Sequence, residues 1–210
     1  MREFLEPVDR RLNLYSREVL KNELSSSLIR GVLDDMHRIA SGERDEAHPN
    51  RRTLVGLAAP QIGELLRIIL IDTAADPTTP NYKPNLEFFI NPRIINASLE
   101  DSPMREGCYS TGVICGAVIR SDEVTIAGLN VKGEEIEFKS HNAFQSHIIQ
   151  HEIDHLNGVR FPSRVRDQRH LHLVEEDEFQ AYRENWTNWK KYYPFEKWLE
   201  MYMGQCDAEI

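Results

Sequence analysis

Residues 150–158, QHEIDHLNG, contain the pattern H-E-x-x-H. On a helix, His151 and His155 are four residues apart and share one face, so both imidazole rings can reach one metal ion. Glu152 lies about 100° around the helix from His151, so its carboxylate can reach water at the metal without being a ligand. The pattern therefore predicts a metal site with an acid–base group beside it.

The residues around this pattern predict a buried helix. Asn142, with Gln145 three residues later, is typical of an N-cap and its capping-box partner, and Gly158 is in the position of a left-handed C-terminal cap. Apolar side chains cover most of the helix circumference: Phe144, Ile148, Ile149, Ile153 and Leu156. A helix that is apolar on most sides is buried, and its ionisable groups need partners. We therefore favour a metal site over a chance pattern on a solvated helix.

The composition indicates one folded domain. The 210 residues are 40% hydrophobic and 28% charged, which is typical of a globular protein with a sizeable core. The net charge of −9 argues against broad electrostatic binding to nucleic acid. Neither a signal peptide nor a membrane-spanning run is predicted. The three cysteines, Cys108, Cys115 and Cys206, are expected to be reduced thiols in a cytoplasmic protein.

The remaining elements predict an α+β fold. We expect a surface segment over residues 1–24 and a helix over Ser25–Ala40, where apolar residues repeat at helical spacing. Strands are predicted at residues 66–72, 88–95, 117–120, 123–127 and 134–139, with a turn or bulge at Asn91-Pro92. Because the strands cluster between two helices, we predict antiparallel sheets packed around the buried central helix, with an N-terminal helix and a C-terminal extension.

The metal requires a third protein ligand, and three sources can be compared. A third histidine of the metzincin pattern would fall at Phe161, which excludes that class. A downstream Glu175, Glu176 or Glu178 would give a zinc endopeptidase of the thermolysin type. Cys108, in the run EGCYS at residues 106–110, is the third source, because an accessible thiolate is a good ligand for a borderline metal. By itself, this cysteine is more typical of an ordinary free thiol.

A further stretch, VGLAAPQ at residues 55–61, is dense in small residues. Such a run lets the backbone approach another group closely. It forms either a tight turn between strands or the lining of a substrate cleft with Gln61 as its polar tip.

Together and in this order, the three stretches resemble the signatures of the peptide deformylase family, G-φ-G-φ-A-A-x-Q, E-G-C-φ-S and Q-H-E-x-D-H-φ-x-G. The first glycine is replaced by Leu54, and Tyr109 stands in place of the usual leucine. The resemblance covers roughly residues 1–165. We therefore expect a catalytic domain over residues 1–165 and a helical, aromatic-rich extension over residues 166–210 that packs on the same domain.

The resemblance implies a hydrolase that removes the formyl group from the N-terminal formylmethionine of newly made polypeptides and releases formate. It implies one divalent metal ion, natively Fe(II), with zinc, nickel or cobalt as substitutes. The implied ligands are Cys108, His151 and His155. Metal-bound water would attack the formyl carbon, with Glu152 as general base and then acid. Gln61 and the backbone N–H of Tyr109 would form the oxyanion hole.

The substrate-binding residues implied by the resemblance are Gly56, Val55, Phe144, His147 and Ile148. His147 stands where the family tends to have an apolar residue facing the methionine pocket. Either its ring turns away toward a neighbour, or it alters the preference for the first side chain. A deformylase-like protein with little turnover is a further alternative, although the intact Glu152 and Gln61 count against it.

The C-terminal part of the chain is rich in aromatic residues, and Pro194 breaks any helix there. We expect this part to fold back onto the domain, because so many exposed aromatic side chains would be a liability. The alternative is a surface for the ribosome or for a second copy, so the chain is either a monomer or a homodimer. His170 and His172 are expected to be solvated.

Overall fold

The computed structural model of the chain describes residues 1–79 and 82–203 and has the predicted α+β fold. The helices are α1 (Ser27–Ala40), α2 (Ala143–Leu156), α3 (Phe179–Asn185) and α4 (Phe195–Met203). The strands are β1 (Gly56–Ala58), β2 (Ile68–Asp72), β3 (Leu86–Ala97), β4 (Asp101–Gly107), β5 (Ile114–Ser121), β6 (Val124–Leu129), β7 (Glu135–Lys139) and β8 (Leu171–Leu173). Within the described ranges, every helix is too short or too polar to cross a membrane.

Two antiparallel sheets enclose α2. The larger sheet has the strand order β1-β2-β3-β6-β7, and the smaller sheet has the order β4-β5-β8. Strand β1 therefore forms one edge of the larger sheet and β4 forms one edge of the smaller. Both edges border the same cleft, and α2 forms its floor.

Helix α2 begins and ends where the sequence predicts. The Asn142 side chain accepts a hydrogen bond from the Gln145 N–H at 2.8 Å, and Gln145 Oε1 accepts one from the His141 N–H at 2.9 Å. Gly158 has a φ of +69°, and a Cβ there would lie 2.5 Å from the carbonyl oxygen of Asn13. The turn after α2 therefore needs glycine both for its backbone conformation and for close packing.

The larger sheet is packed on both faces. Helix α1, capped by the Ser26 hydroxyl, covers one face with a stripe that includes Ile29, Val32 and Met36. The apolar side of α2 covers the other face and packs against β2. This explains why β2 is buried along its whole length and has no alternating pattern.

In the region before α2, one prediction from the sequence is wrong and one strand was not predicted. Residues 1–24 are not simply a surface segment, because Leu12, Ser16 and Val19 are buried. Strand β4 was not predicted, because Pro103 and its charged residues break the apolar alternation. Proline is tolerated there because β4 is an edge strand. At Asn91-Pro92 the expected irregularity is a bulge within one continuous β3, and Asn91 has a φ of +52°.

The C-terminal part packs against the rest of the chain at two places. Trp198 of α4 is fully buried, with the Arg160 guanidinium 4.6 Å from its ring centroid. His172 of β8 is also buried and shares a 3.0 Å hydrogen bond with the Tyr182 hydroxyl. The expectation that His172 is solvated is therefore wrong, whereas His170 is exposed. Cys206 lies outside the described residues, and the domain boundary at residues 165 and 166 stays a prediction.

Candidate metal centre

The three predicted metal ligands meet at the floor of the cleft. One ligand atom from each of Cys108, His151 and His155 lies within 4.8 Å of the other two. The two imidazole rings are 4.9 Å apart between centroids and nearly perpendicular, and His155 Nε2 is 3.4 Å from Cys108 Sγ. One thiolate and two imidazoles suit zinc or iron and leave a fourth position of a tetrahedral ion open. The donor set therefore fits a single divalent ion.

The alternative ligands downstream do not join this group. Among the described residues, Glu175, Glu176 and Glu178 are absent from the set of close ligand atoms. Glu178 instead forms an ion pair with Lys191. The arrangement therefore does not support the ligand set of a thermolysin-type endopeptidase.

His151 is oriented by a buried carboxylate. Glu106 Oε2 lies 2.8 Å from His151 Nδ1, so Nε2 of this ring is available for a metal ion. Glu106 also accepts two hydrogen bonds from Arg120, which in turn bonds Asp154 at 2.8 Å. Burial opposes ionisation, but the surrounding His147, His151 and Arg120 hold the pKa of Glu106 well below its usual range. The orienting carboxylate is thus ionised at neutral pH.

Burial and hydrogen bonding act in opposite directions on the two histidines. Burial lowers the pKa of His155 well below its ordinary value, which keeps the ring neutral as a metal ligand must be. Burial also disfavours a charged His151, but hydrogen bonds to Cys108 and Glu106 outweigh it and raise the pKa of His151. A metal ion would take the place of that proton between the ring and the thiolate.

Glu152 is the predicted acid–base group, and it lines the same cleft as Cys108 and His151. Its side chain is buried, Oε2 has no hydrogen-bond partner among the described residues, and burial raises its pKa to about 7. Gly56 lies directly against it, because a Cβ on Gly56 would be 2.6 Å from Glu152 Oε1 and 2.8 Å from Ile148 Cγ2. The missing side chain of Gly56 thus makes room for Glu152. This requirement for glycine at position 56 was not apparent from the sequence.

Gln61 and Tyr109 flank the thiolate. Gln61 is held by a 2.7 Å hydrogen bond from the Ala58 N–H to Oε1, and its Nε2 donates to Cys108 Sγ at 3.2 Å. Tyr109 opens a short 3-10 helix, so its N–H has no partner within that helix. The Tyr109 ring stacks on Phe4 at 4.5 Å between centroids. Two donors therefore lie beside the candidate ligand set.

The cleft above this centre has a volume of about 510 Å³. The predicted substrate-binding residues Val55, Gly56, Phe144, His147 and Ile148 all line it, together with Gln61, Cys108, Tyr109, His151 and Glu152. His155 lies beneath and is almost completely buried.

His147 lines the cleft, and its ring lies close to the buried carboxylate of Glu106. Its side chain is 3% exposed, and neither ring nitrogen has a hydrogen-bond partner among the described residues. Nδ1 lies 3.6 Å from Glu106 Oε1, which is beyond hydrogen-bond length. The ring thus both lines the cleft and faces the Glu106 carboxylate, and both interpretations of His147 stay predictions.

Comparison with known proteins identifies the family to which this chain is similar. The model of the polypeptide deformylase family matches residues 1–170. A peptide deformylase of Thermomicrobium roseum is 36% identical over 151 residues, 71% of this chain and 83% of the relative. One of Chlorobaculum parvum is 32% identical over 160 residues, 75% of this chain and 81% of the relative.

Solved structures extend the similarity to three dimensions. A class I type b peptide deformylase from Acinetobacter baumannii with Met-Ala-Ser bound has a TM-score of 0.65 and 32% identity, over 78% of this chain and 97% of its own. A peptide deformylase from Legionella pneumophila has a TM-score of 0.63 and 25% identity, over 95% of this chain and 97% of its own. The second match includes part of the chain beyond residue 170. The chain therefore belongs to the polypeptide deformylase family of hydrolases.

Proposed function

We propose that the protein removes the formyl group from the N-terminal formylmethionine of newly made polypeptides, with one divalent metal ion, natively Fe(II). The observation that carries the proposal is the meeting of Cys108, His151 and His155 at the floor of a cleft, beside the buried carboxylate of Glu152. Zinc, nickel or cobalt would fit the same donor set.

The position of the cleft favours a peptide substrate. It runs between β1 and β4, two edge strands of different sheets. Edge strands carry backbone N–H and C=O groups that can pair with an added extended chain. A peptide lying between them would place its amino end above the metal ligands.

The side chains at the floor have separate tasks in the hydrolysis. When bound, the divalent ion supplies a Lewis acid that lowers the pKa of water at the site. Glu152 accepts a proton as the water oxygen bonds to the formyl carbon, and it later donates that proton to the leaving amine nitrogen as the C–N bond breaks. Gln61 Nε2 and the Tyr109 N–H donate to the oxyanion, a contribution of about 10²–10³ in rate per donor. Formate and a free amino terminus are the products.

The first side chain of the substrate would enter the part of the cleft formed by Phe144, His147 and Ile148. Two of these are apolar and suit methionine. The imidazole of His147 gives this pocket one polar wall, so we expect it to modulate the preference for methionine. Comparing kcat/KM for formyl-Met and other formyl-X peptides tests this, and an ordinary, strong methionine preference would remove the idea.

The substrates on this proposal are nascent chains in the cytoplasm, and the ribosome is a candidate partner. The C-terminal extension is the candidate surface for it or for a second copy. Ribosome pelleting and sedimentation of the purified protein test these two possibilities separately.

The function is tested by formate release from formyl-Met-Ala-Ser, measured without oxygen after loading with Fe(II) or Ni(II). The wild type is expected to turn over, and Cys108→Ala is expected to lose activity together with the bound metal. Glu175→Ala is the matched control and should leave the rate unchanged. Turnover that survives Cys108→Ala but disappears in Glu175→Ala would favour an endopeptidase. If the metal-loaded wild type shows no turnover, the alternative of a deformylase-like protein with little turnover would be favoured.

A further inference from the structure

Two arginines that line the cleft have no counter-ion among the residues that the structure describes. Arg105 of β4 and Arg183 of α3 both line the cleft. Neither guanidinium has a hydrogen-bond or ion-pair partner among the described residues. The chain has 34 acidic and only 25 basic residues. Two cations that line one cleft without a counter-ion leave a positive charge there that an entering anion could neutralise.

The two charges act on each other. Arg105 is partly buried, and burial lowers its pKa, as does the positive charge of the neighbouring Arg183. Placing like charges together without an anion costs free energy, which a bound anion would recover. The arrangement is thus complementary to a negative group entering the cleft.

Arg183 is held in position by the C-terminal extension. The preceding residue, Tyr182, is buried, and it bonds His172 of β8 and packs edge-on against Trp189 at 5.3 Å between centroids. Tyr182 also packs in a cluster with Cys115 of β5. These contacts fix α3 on the smaller sheet, so its exposed arginine is presented to the cleft by an anchored helix.

The position of Arg105 along β4 indicates which part of a peptide it would meet. A strand rises about 3.3 Å per residue, so Arg105 lies roughly 10 Å before Cys108 along the chain. A peptide with its amino end at Cys108 and its chain running back along β4 would be antiparallel to this strand. With its formyl group beside Cys108 and its residues in step with those of the strand, its third residue would then lie beside Arg105.

We propose that Arg105 and Arg183 form a specificity site that binds the carboxylate of an acidic side chain at or near the third residue of the formylated substrate. The inference rests on the proposed function and adds to it a sequence preference beyond the first residue. The phosphate backbone of ribosomal RNA is another anion that arginines bind, but a site inside the cleft favours the substrate itself.

The test compares formyl-Met-Ala-Glu-amide with formyl-Met-Ala-Gln-amide, which have nearly the same shape and no free carboxyl terminus. The wild type is expected to prefer the Glu peptide by about 5- to 20-fold in kcat/KM at low salt, and this preference should shrink in 0.5 M salt. Arg105→Gln with Arg183→Gln should bring the ratio of the two kcat/KM values close to one. Arg183→Glu, on the exposed helix, should favour formyl-Met-Ala-Lys-amide instead.

The matched control is Arg166→Gln, which removes one exposed positive charge from the C-terminal extension outside the cleft and should keep the preference. Equal wild-type rates on the Glu and Gln peptides would overturn the inference while leaving the proposed function intact. Loss of ribosome pelleting in the double variant with an unchanged peptide ratio would also overturn it. If no formyl peptide is turned over, the proposed function fails. In that case, the affinities for Met-Ala-Glu-amide and Met-Ala-Gln-amide still test the two arginines. Tighter binding of the Glu peptide would support the site, and equal binding would overturn it.

Discussion

Replacing Arg120 with methionine should destabilise the protein far more than removing an arginine from its surface. Arg120 Nε donates to Glu106 at 2.6 Å and Nη2 donates at 3.0 Å, while Nη1 donates to Asp154 at 2.8 Å. All three side chains are almost completely buried. Methionine would fill much of the volume but would leave two carboxylates in the interior without their shared cation.

The size of the destabilisation depends on which hydrogen-bond partners each of the two carboxylates keeps. Removing one partner of a buried ion pair typically costs about 3–5 kcal/mol, because the other charge stays buried. Here Asp154 keeps its 2.6 Å bond from Arg164, and Glu106 keeps the 2.8 Å contact with His151. We therefore expect Arg120→Met to lower the free energy of unfolding by about 3 kcal/mol, the lower end of this range. This corresponds to a fall in Tm of roughly 6–12 °C for a chain of this size.

The assay is urea unfolding followed by tryptophan fluorescence, with a chelator present so that metal binding does not contribute. The control is Arg169→Met, because Arg169 forms an exposed pair with Asp167 and its loss should change little. A second measurement is the affinity for the metal, which should fall about 10- to 100-fold in Arg120→Met, because Glu106 keeps its contact with His151 but loses the two hydrogen bonds that hold its carboxylate in place. If Arg120→Met unfolds at the same urea concentration as Arg169→Met, the reasoning is refuted.

Three further predictions concern other parts of the chain. Gly56→Ala should reduce the rate of formate release by about 10²-fold at unchanged metal content, because the new Cβ displaces the Glu152 carboxylate; an unchanged rate would contradict this packing. For Glu3, hydrogen bonds from two arginines outweigh burial and lower its pKa in the folded state. Its stabilising effect is therefore present above its unfolded pKa of about 4.3 and is lost as the pH falls, so Tm should decline less between pH 5 and 3 in Glu3→Gln than in the wild type. Trp198→Ala should cost about 3–5 kcal/mol in urea unfolding because the indole is buried beside Arg160; normal stability with loss of association would indicate a partner surface instead.

The sequence predicted the parts of the fold that rest on local signals. Helix α2 has its N-cap at Asn142 and its left-handed glycine at Gly158, and both signals act within a few residues. Strand β4 was not predicted because it lacks an alternating apolar pattern. Its position at a sheet edge permits Pro103 and solvated charges. The burial of His172 depends on Tyr182 and β8, which meet it only in the folded chain.

The candidate site was predicted in part for the same reason. The pairing of His151 with His155 follows from helical spacing, whereas Cys108 was one of three possible third ligands on its chemistry and was selected only by the family resemblance. The role of Glu106 as the partner of His151 could have been inferred from its place in the EGCYS run. No sequence signal connects Arg105 to Arg183, because their presence in the same cleft depends on how the C-terminal part of the chain folds back.

The placement of the cleft between two sheet edges has a consequence for the dynamics of the protein. A peptide paired with both β1 and β4 would bridge the larger and the smaller sheet into one continuous hydrogen-bonded layer. The backbone amides of Gly56–Ala58 and Asp101–Gly107 would then exchange with deuterium more slowly than in the empty protein. Peptide binding would thus reduce the backbone mobility along both rims of the cleft, including residues far from the bond that is hydrolysed.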